Sequence, residues 1–337
     1  MTRKVFFYGF LLFLPTSLFA QQKVVGTVFD FMSKEPLEGV SVFYDGTSIG
    51  TVTNEIGIFS LATENPISSP LVISFIGYTS QLFENVSGGL GAIYLKENAV
   101  QLNEIVLEPD TWSREKKLNI FRREFLGSTI AGLNAKIKNE DAIRLYFNKN
   151  KNSLYAFAEV PIQIQNNYLG YAISYTLRDF EVNFGGGGER LFSSGWTYTS
   201  GSLFFQEKNP KNIKKRFLKN RLETYLGSPL HFMRSLSKKR LQEEKFQIFK
   251  GSFQIDPYSE YQMEPQENFI KITQKTAKLS MLYDGQEQSF IEVKEPTFYI
   301  DSYGNFSPAQ ALFFGGILGK QRVADLLPLD YVPEKKN

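Results

Sequence analysis

The 337-residue chain has no cysteine and one histidine, His231. Without cysteine there is no disulfide framework, thiol nucleophile, thiolate-held zinc, iron–sulfur cluster or lipid anchor on a cysteine sulfur. With one histidine, sites built from several imidazoles are excluded as well, so no metal or cofactor is expected. Long hydrophobic runs are scarce too. Past residue 20 no stretch approaches the roughly 20 apolar residues that a membrane-crossing helix needs. What the chain has is apolar and aromatic mass, 42% hydrophobic and 15% aromatic residues. That is enough to bury one or two cores and excludes disorder as the main state.

Arg3 and Lys4 precede an uncharged, Phe- and Leu-rich run that is broken by Pro15 and ends at Ala20 before Gln21 and Gln22. This is the layout of a signal peptide, and cleavage after Ala20 is expected, although Leu18 departs from the small-x-small pattern. The alternative, a membrane anchor, asks for a longer run. Charge is unevenly divided behind the leader. Residues 23–108 carry 3 basic and 10 acidic side chains, and residues 109–337 carry 33 basic and 25 acidic. Two parts of opposite sign attract at short range.

From Lys23 the hydrophobic period is two. Val24 and Val28 share one parity, as do Val40, Val42 and Tyr44, and Phe59 and Leu61 alternate with Ile58 and Ser60. Turn residues separate the runs: Asp45-Gly46, Asn54 to Gly57, Asn65-Pro66, Gly77 and Gly88-Gly89. Leu71 to Ile76 is apolar without alternation, as in a strand covered on both faces. About seven strands are expected, packed as a small antiparallel sandwich.

These residues also carry a resemblance. Gly26-Thr-Val28 with Asp30, Pro36-Leu37 with Gly39, Val40 and Val42, Gly50-Thr51 with Thr53, Asn54, Gly57, Phe59 and Leu61, Ser74 to Tyr78, and residues 102–107 (LNEIVL) resemble the carboxypeptidase-like regulatory domain of Bacteroidetes envelope proteins. The resemblance implies a transthyretin-like, immunoglobulin-like β-sandwich over residues 23–108. Asn54 stands where the family usually has Asp, which weakens any idea of cation binding at that turn. Carboxypeptidase activity is expected to be absent, because a zinc peptidase needs two His and a Glu around its metal. The roughly 230 residues that follow are too few for a plug and a 22-stranded transporter barrel.

Residues 109–337 predict an α+β domain rich in antiparallel strands. Ser113 caps a helix through Leu126 that stops at Gly127, with Leu118, Phe121, Phe125 and Leu126 on its apolar face. Strands are expected at residues 143–148, 153–160, 162–165, 170–184, 191–206, 269–276, 279–283, 290–293 and 298–300. Gly185 to Gly188 form a tip with no helix or Lys-Ser/Thr behind it, unlike a phosphate-cradling loop. Residues 209–245 predict an inserted helical hairpin. Asn209-Pro210 starts its first helix and Gly227 closes it, and Ser228-Pro229 starts the second, running through His231, Met233, Leu236 and Leu241. The hairpin is strongly basic. Lys214, Lys215, Arg216, Lys219, Arg221, Arg234, Lys238, Lys239 and Arg240 form a candidate patch for an anionic lipid, an envelope protein or the acidic first domain, and the bland reading is a solvated helix face. Nucleic acid is not expected as a partner of an exported chain. The region also resembles exported Bacteroidetes proteins of no agreed function, in residues 121–129, 169–175 and 220–236.

Candidate chemistry is sparse. Ser228 and His231 lie close enough for a nucleophile–base pair, but Ser228 already serves as a cap and no Asp is near. The Ser113-x-x-Lys116 and Ser235-x-x-Lys238 spacings lack the companion motifs of a serine acylase. Asp179 and Glu181 share a strand face and represent the carboxylate pair a glycosidase needs. Trp112, Trp196, Tyr168, Tyr171, Tyr175 and Tyr198 fit either a sugar-stacking surface or strand cores. The expectation is a mainly β, exported, non-catalytic protein of the periplasm or outer membrane that binds or scaffolds, the alternative being a hydrolase of glycan or peptide. The final Leu326 to Pro333 predicts a packed, extended tail.

Overall fold

The computed structural model describes residues 22–63, 67–84, 86, 88–98, 112–185 and 195–334. The expected leader at 1–20, the Asn65-Pro66 turn, residues 102–107 and Gly186 to Gly188 lie outside the described residues. The protein is mainly β. Seven strands, counted among the described residues, build the N-terminal module: β1 (Gln22–Asp30), β2 (Ser41–Tyr44), β3 (Gly50–Val52), β4 (Ile58–Thr63), β5 (Leu71–Ser74), β6 (Gln81–Phe83) and β7 (Gly89–Leu95). They form two sheets, β4-β1-β7 and β3-β2-β5-β6. Val24, Val28, Val40, Val42, Phe59, Leu61, Leu71 and Ile73 fill the space between them, as the period of two requires. One pairing departs from the antiparallel expectation, since β7 runs parallel to β1. In the turn before β4, the Asn54 carboxamide oxygen accepts from the Ile56 and Ile58 amides at 3.2 and 2.9 Å. Gly57 has φ +73°, and a Cβ there would meet the Val28 carbonyl at 2.5 Å. Asn54 therefore has a backbone role.

Helix α1 (Arg114–Leu126) begins where Ser113 accepts from the Lys116 amide and ends at Gly127. A short α2 (Ile130–Leu133) follows, then β8 (Ala135–Ile137), β9 (Ile143–Asn148), β10 (Ser153–Ala158), β11 (Ile162–Asn166), β12 (Tyr171–Asn183) and β13 (Trp196–Glu207). Strand β12 pairs along one edge with β11 and β10 in turn and along the other with β13. Its alternation sends Tyr171, Ile173, Tyr175, Phe180 and Val182 inward, where Phe121 and Phe125 of α1 cover them. Phe125 sits edge-on to Tyr175, with ring centres 5.0 Å apart.

Residues 112–334 contain two core clusters. The second lies between the sheets β15-β14-β18-β19-β22 and β16-β17-β20-β21. These comprise β14 (Phe246–Lys250), β15 (Phe253–Ile255), β16 (Tyr261–Pro265), β17 (Phe269–Gln274), β18 (Lys278–Tyr283), β19 (Glu287–Val293), β20 (Thr297–Asp301), β21 (Phe306–Ser307) and β22 (Leu312–Gly316). The helical hairpin connects the two cores instead of being inserted into one. Tyr225 of α3 (Lys215–Tyr225) belongs to the first, and Phe232, Met233 and Leu236 of α4 (Pro229–Ser237) belong to the second. Asn209-Pro210 does not start α3. It enters a turn closed by the Asn212 amide on the Asn209 carbonyl at 3.1 Å, and Lys214 occupies the cap position.

The module docks through its β2–β3 loop. The Gly46 amide donates to the Leu203 carbonyl at 2.8 Å and the Phe205 amide to the Thr47 carbonyl at 3.0 Å. Thr47 thus adds a parallel bridge to β13 at Phe204, covering part of an edge that would otherwise expose unpaired backbone groups. Phe43 packs on Phe204, ring centres 4.9 Å apart. The C-terminal tail joins all the parts. Val323, Ala324 and Leu327 enter the first core, the Leu329 amide reaches the Gly46 carbonyl, and Asp330 accepts from Ser48.

Candidate functional site

A groove of about 750 Å³ opens between the α3–α4 hairpin and the tail. Leu222 and Tyr225 come from α3, His231, Arg234 and Ser235 from α4, and Lys238, Arg240 and Glu244 from the segment after it, with Tyr331 to Glu334 opposite. Residue by residue, the groove chemistry is structural. Ser228 accepts from the His231 backbone amide at 3.1 Å, so its hydroxyl caps α4, and Pro229 sits in the first turn. The His231 ring turns elsewhere. Nδ1 accepts from the Gly227 amide at 3.1 Å and Nε2 lies 3.4 Å from Glu244, which assigns the ring proton to Nε2. The Ser235 hydroxyl donates to the His231 carbonyl at 2.7 Å. Neither serine–lysine spacing marks a nucleophile, because Ser113 is a cap and Ser235 is bonded within its helix.

Burial holds the His231 imidazole below its ordinary value of 6.5, with Glu244 opposing the shift. A group whose folded value is lowered binds more protons in the unfolded chain, so its contribution to stability is lost as pH falls through 6.5. Thermal melts between pH 7.5 and 5.5 are expected to show falling stability in the wild type and a flatter profile in His231→Gln. An equal slope in both proteins would remove His231 from this account.

The nine candidate patch residues separate into two groups. Lys214, Lys215, Arg216, Lys219, Lys238, Lys239 and Arg240 are exposed. Arg221 and Arg234 are corrections. Arg221 is 2% exposed and holds Glu207 through both terminal nitrogens, at 2.5 and 2.9 Å, while its Nε donates to the Leu169 carbonyl at 2.8 Å. Arg234 donates to the carbonyls of Tyr303, Tyr331 and Leu329 at 2.7, 2.8 and 2.7 Å. Both guanidinium groups are occupied inside the protein. Among the seven exposed cations, Lys219 faces Glu223 at 3.7 Å, and Arg240 pairs with Glu243 and Glu244. Contacts that seat the acidic module include Phe43, Asp45 to Ser48 and Ser69.

Asp179 and Glu181 do share the outer face of β12, where they accept from Ser200 at 2.7 Å and Tyr155 at 2.9 Å. That face also shows Trp196 and Tyr198, about half exposed, whereas Tyr171 and Tyr175 are core and Trp112 stacks on Phe147 at 3.8 Å. The six aromatics therefore do not form one surface. Among the described residues no group of three His, Asp or Glu side chains converges as a metal site.

A TonB-dependent receptor, SusC, of Bacteroides thetaiotaomicron is 34% identical over 96 residues, which is 28% of this chain and 9% of the receptor. A cohesin–X-dockerin complex from Acetivibrio cellulolyticus overlaps 23% of this chain and 58% of that chain, at 19% identity and TM-score 0.21. A candidate carbohydrate binding protein from Bacteroides uniformis overlaps 83% and 98%, at 9% identity and TM-score 0.17. Overlaps this weak carry no argument about fold or ligand. The family match is direct: residues 24–107 match the CarboxypepD_reg-like domain.

Proposed function

We propose that this is an exported, non-catalytic binding protein of the cell envelope, and that the start of its hairpin engages the phosphates of an anionic lipid surface. One observation carries the lipid reading. Lys214, Lys215 and Arg216 stand exposed at the N-terminal end of α3, with no acidic residue in the first turn and no ion pair among the described residues. Cations there oppose the helix dipole, at about 0.3–1 kcal/mol each. A local rule broken without a structural gain is the mark of a functional surface. The likeness of the module to part of a TonB-dependent receptor supports the envelope location. The hydrolase alternative finds less support, since His231, Ser228 and Ser235 are engaged in caps and turns and the two acids lie on an open sheet face.

The test is flotation with vesicles of phosphatidylglycerol and phosphatidylcholine. Each cation near such a surface contributes about 1 kcal/mol. The variant Lys214→Gln/Lys215→Gln/Arg216→Gln is expected to bind about a hundredfold more weakly. Its melting temperature should be equal to or above that of the wild type, because the dipole conflict is relieved. Equal flotation of both proteins would sink the lipid reading.

A further inference from the structure

A second concavity lies between the module and the second C-terminal core. It encloses about 630 Å³ and is bounded by Ser68 and Glu84 on one side and by Asn268, Phe269, Tyr299, Asp301 and Asn305 on the other. Clefts of this size at the junction of two units are the usual place for a small ligand. Phe269 opens β17 and Tyr299 lies on β20. The register pairs Phe269 with Asp301 and Lys271 with Tyr299, which makes the two rings diagonal neighbours on one sheet face. Their ring centres are 5.2 Å apart at 82°, and each is more than a third exposed. The apolar surface available to a ligand is therefore aromatic and fixed by two paired strands.

Asp301 supplies a polar anchor. It is 6% exposed, its Oδ1 accepts from the amides of Tyr303 and Asn305 at 2.8 and 3.0 Å, and its Oδ2 has no partner. A buried oxygen left unsatisfied costs about 1–3 kcal/mol, which a bound donor recovers. Burial pushes the carboxyl group up from its ordinary range, while the amides of Asn305, Tyr303 and Gly304 and the Arg234 charge oppose that shift. The Asn305 carboxamide spans to Ser69 at 3.4 Å, which fixes a planar amide across the junction. Among the described residues that line the cleft there is no lysine or arginine, and this disfavours an anionic occupant.

We propose that this cleft binds a neutral sugar, with a C–H face against Phe269 and Tyr299 and hydroxyl groups directed to Asp301, Asn305 and Asn268. A pyranose joins one apolar face to a rim of hydroxyls, which is the combination the cleft presents. The site stands apart from the hairpin, so its success or failure is separate from that of the lipid reading.

The experiment is affinity electrophoresis of the full chain in gels cast with a soluble neutral glucan, xylan or mannan, or with polygalacturonate as the acidic control. Retardation is expected in at least one neutral gel and not in polygalacturonate. Tyr299→Ala should raise the apparent Kd by about two- to tenfold, as loss of an aromatic stack does. Asn268→Ala, an exposed loop change that leaves the strands intact, should weaken binding in the same gel. The Lys214→Gln/Lys215→Gln/Arg216→Gln variant should run like the wild type. Unretarded migration in every neutral gel, retardation by polygalacturonate alone, or retardation unchanged by both Tyr299→Ala and Asn268→Ala would overturn the proposal.

Discussion

Arg221→Ala is expected to destabilise the protein by about 3–5 kcal/mol, the usual cost of removing one member of a buried ion pair. The side chain clamps Glu207 at the end of β13, donates to the Leu169 carbonyl and lies 3.8 Å over the Tyr171 ring. Truncation leaves the Glu207 carboxylate, itself only partly exposed, without its counter-charge. For a folding unit of 150–250 residues each kcal/mol shifts the melting midpoint by about 2–4 °C, so a drop of roughly 6–20 °C is expected in a calorimetric scan. Arg221→Lys should recover only part of it, since an ammonium cannot reproduce the two-pronged contact. Binding to anionic vesicles, measured well below the melting range, should be unchanged. A variant that melts normally and binds vesicles weakly would return Arg221 to the lipid surface and contradict the structural role.

The second large effect belongs to Arg234. Its three donors hold the carbonyls of Tyr303, Leu329 and Tyr331, so this one side chain fastens the tail to the second core. Hydrogen bonds to a charged donor contribute about 1.5–3 kcal/mol each, and Arg234→Ala removes three at once. The tail is expected to detach locally before the rest unfolds. Amide exchange at Leu329, whose N–H bonds to the Gly46 carbonyl, should accelerate by about a hundredfold or more. Amides of β12, deep in the first sheet, should keep their protection. Unchanged exchange at Leu329 would mean that Val323, Ala324 and Leu327 hold the tail without help from Arg234.

Both arginines show where a sequence stops being readable. Their positions on a basic helical hairpin are visible in one dimension. Whether they face water depends on Glu207, Leu329 and Tyr331, which lie 14 to 97 residues away in the chain. Local signals were reliable. Ser113 and Gly127 bound α1, Ser228 and Pro229 start α4, and the alternation in Phe59-Ser60-Leu61 and along β12 reports the buried face. The start of α3 is not legible because Asn209-Pro210 serves a turn as well as it serves a helix cap. Strands β8, β14 to β16, β21 and β22 are not among those the alternation predicts. They are short, with little alternation (in β16 only Tyr261 is buried), and apart from β8 they pair with neighbours in the second core. The parallel β1–β7 pairing and the division of residues 109–337 into two cores are non-local in the same sense. Most hidden of all was the cleft holding Phe269, Tyr299 and Asp301, whose opposite wall is about two hundred residues earlier at Ser68 and Glu84.

The most direct test of the binding reading is the equilibrium partition of the full chain on vesicles of increasing phosphatidylglycerol content, repeated across a range of salt. Electrostatic attachment through Lys214, Lys215 and Arg216 predicts no binding to pure phosphatidylcholine, a steep rise with anionic fraction, and weakening as salt shortens the screening length to about 3 Å at 1 M. Partition that ignores both lipid charge and salt, or that is missing at every composition, would contradict it.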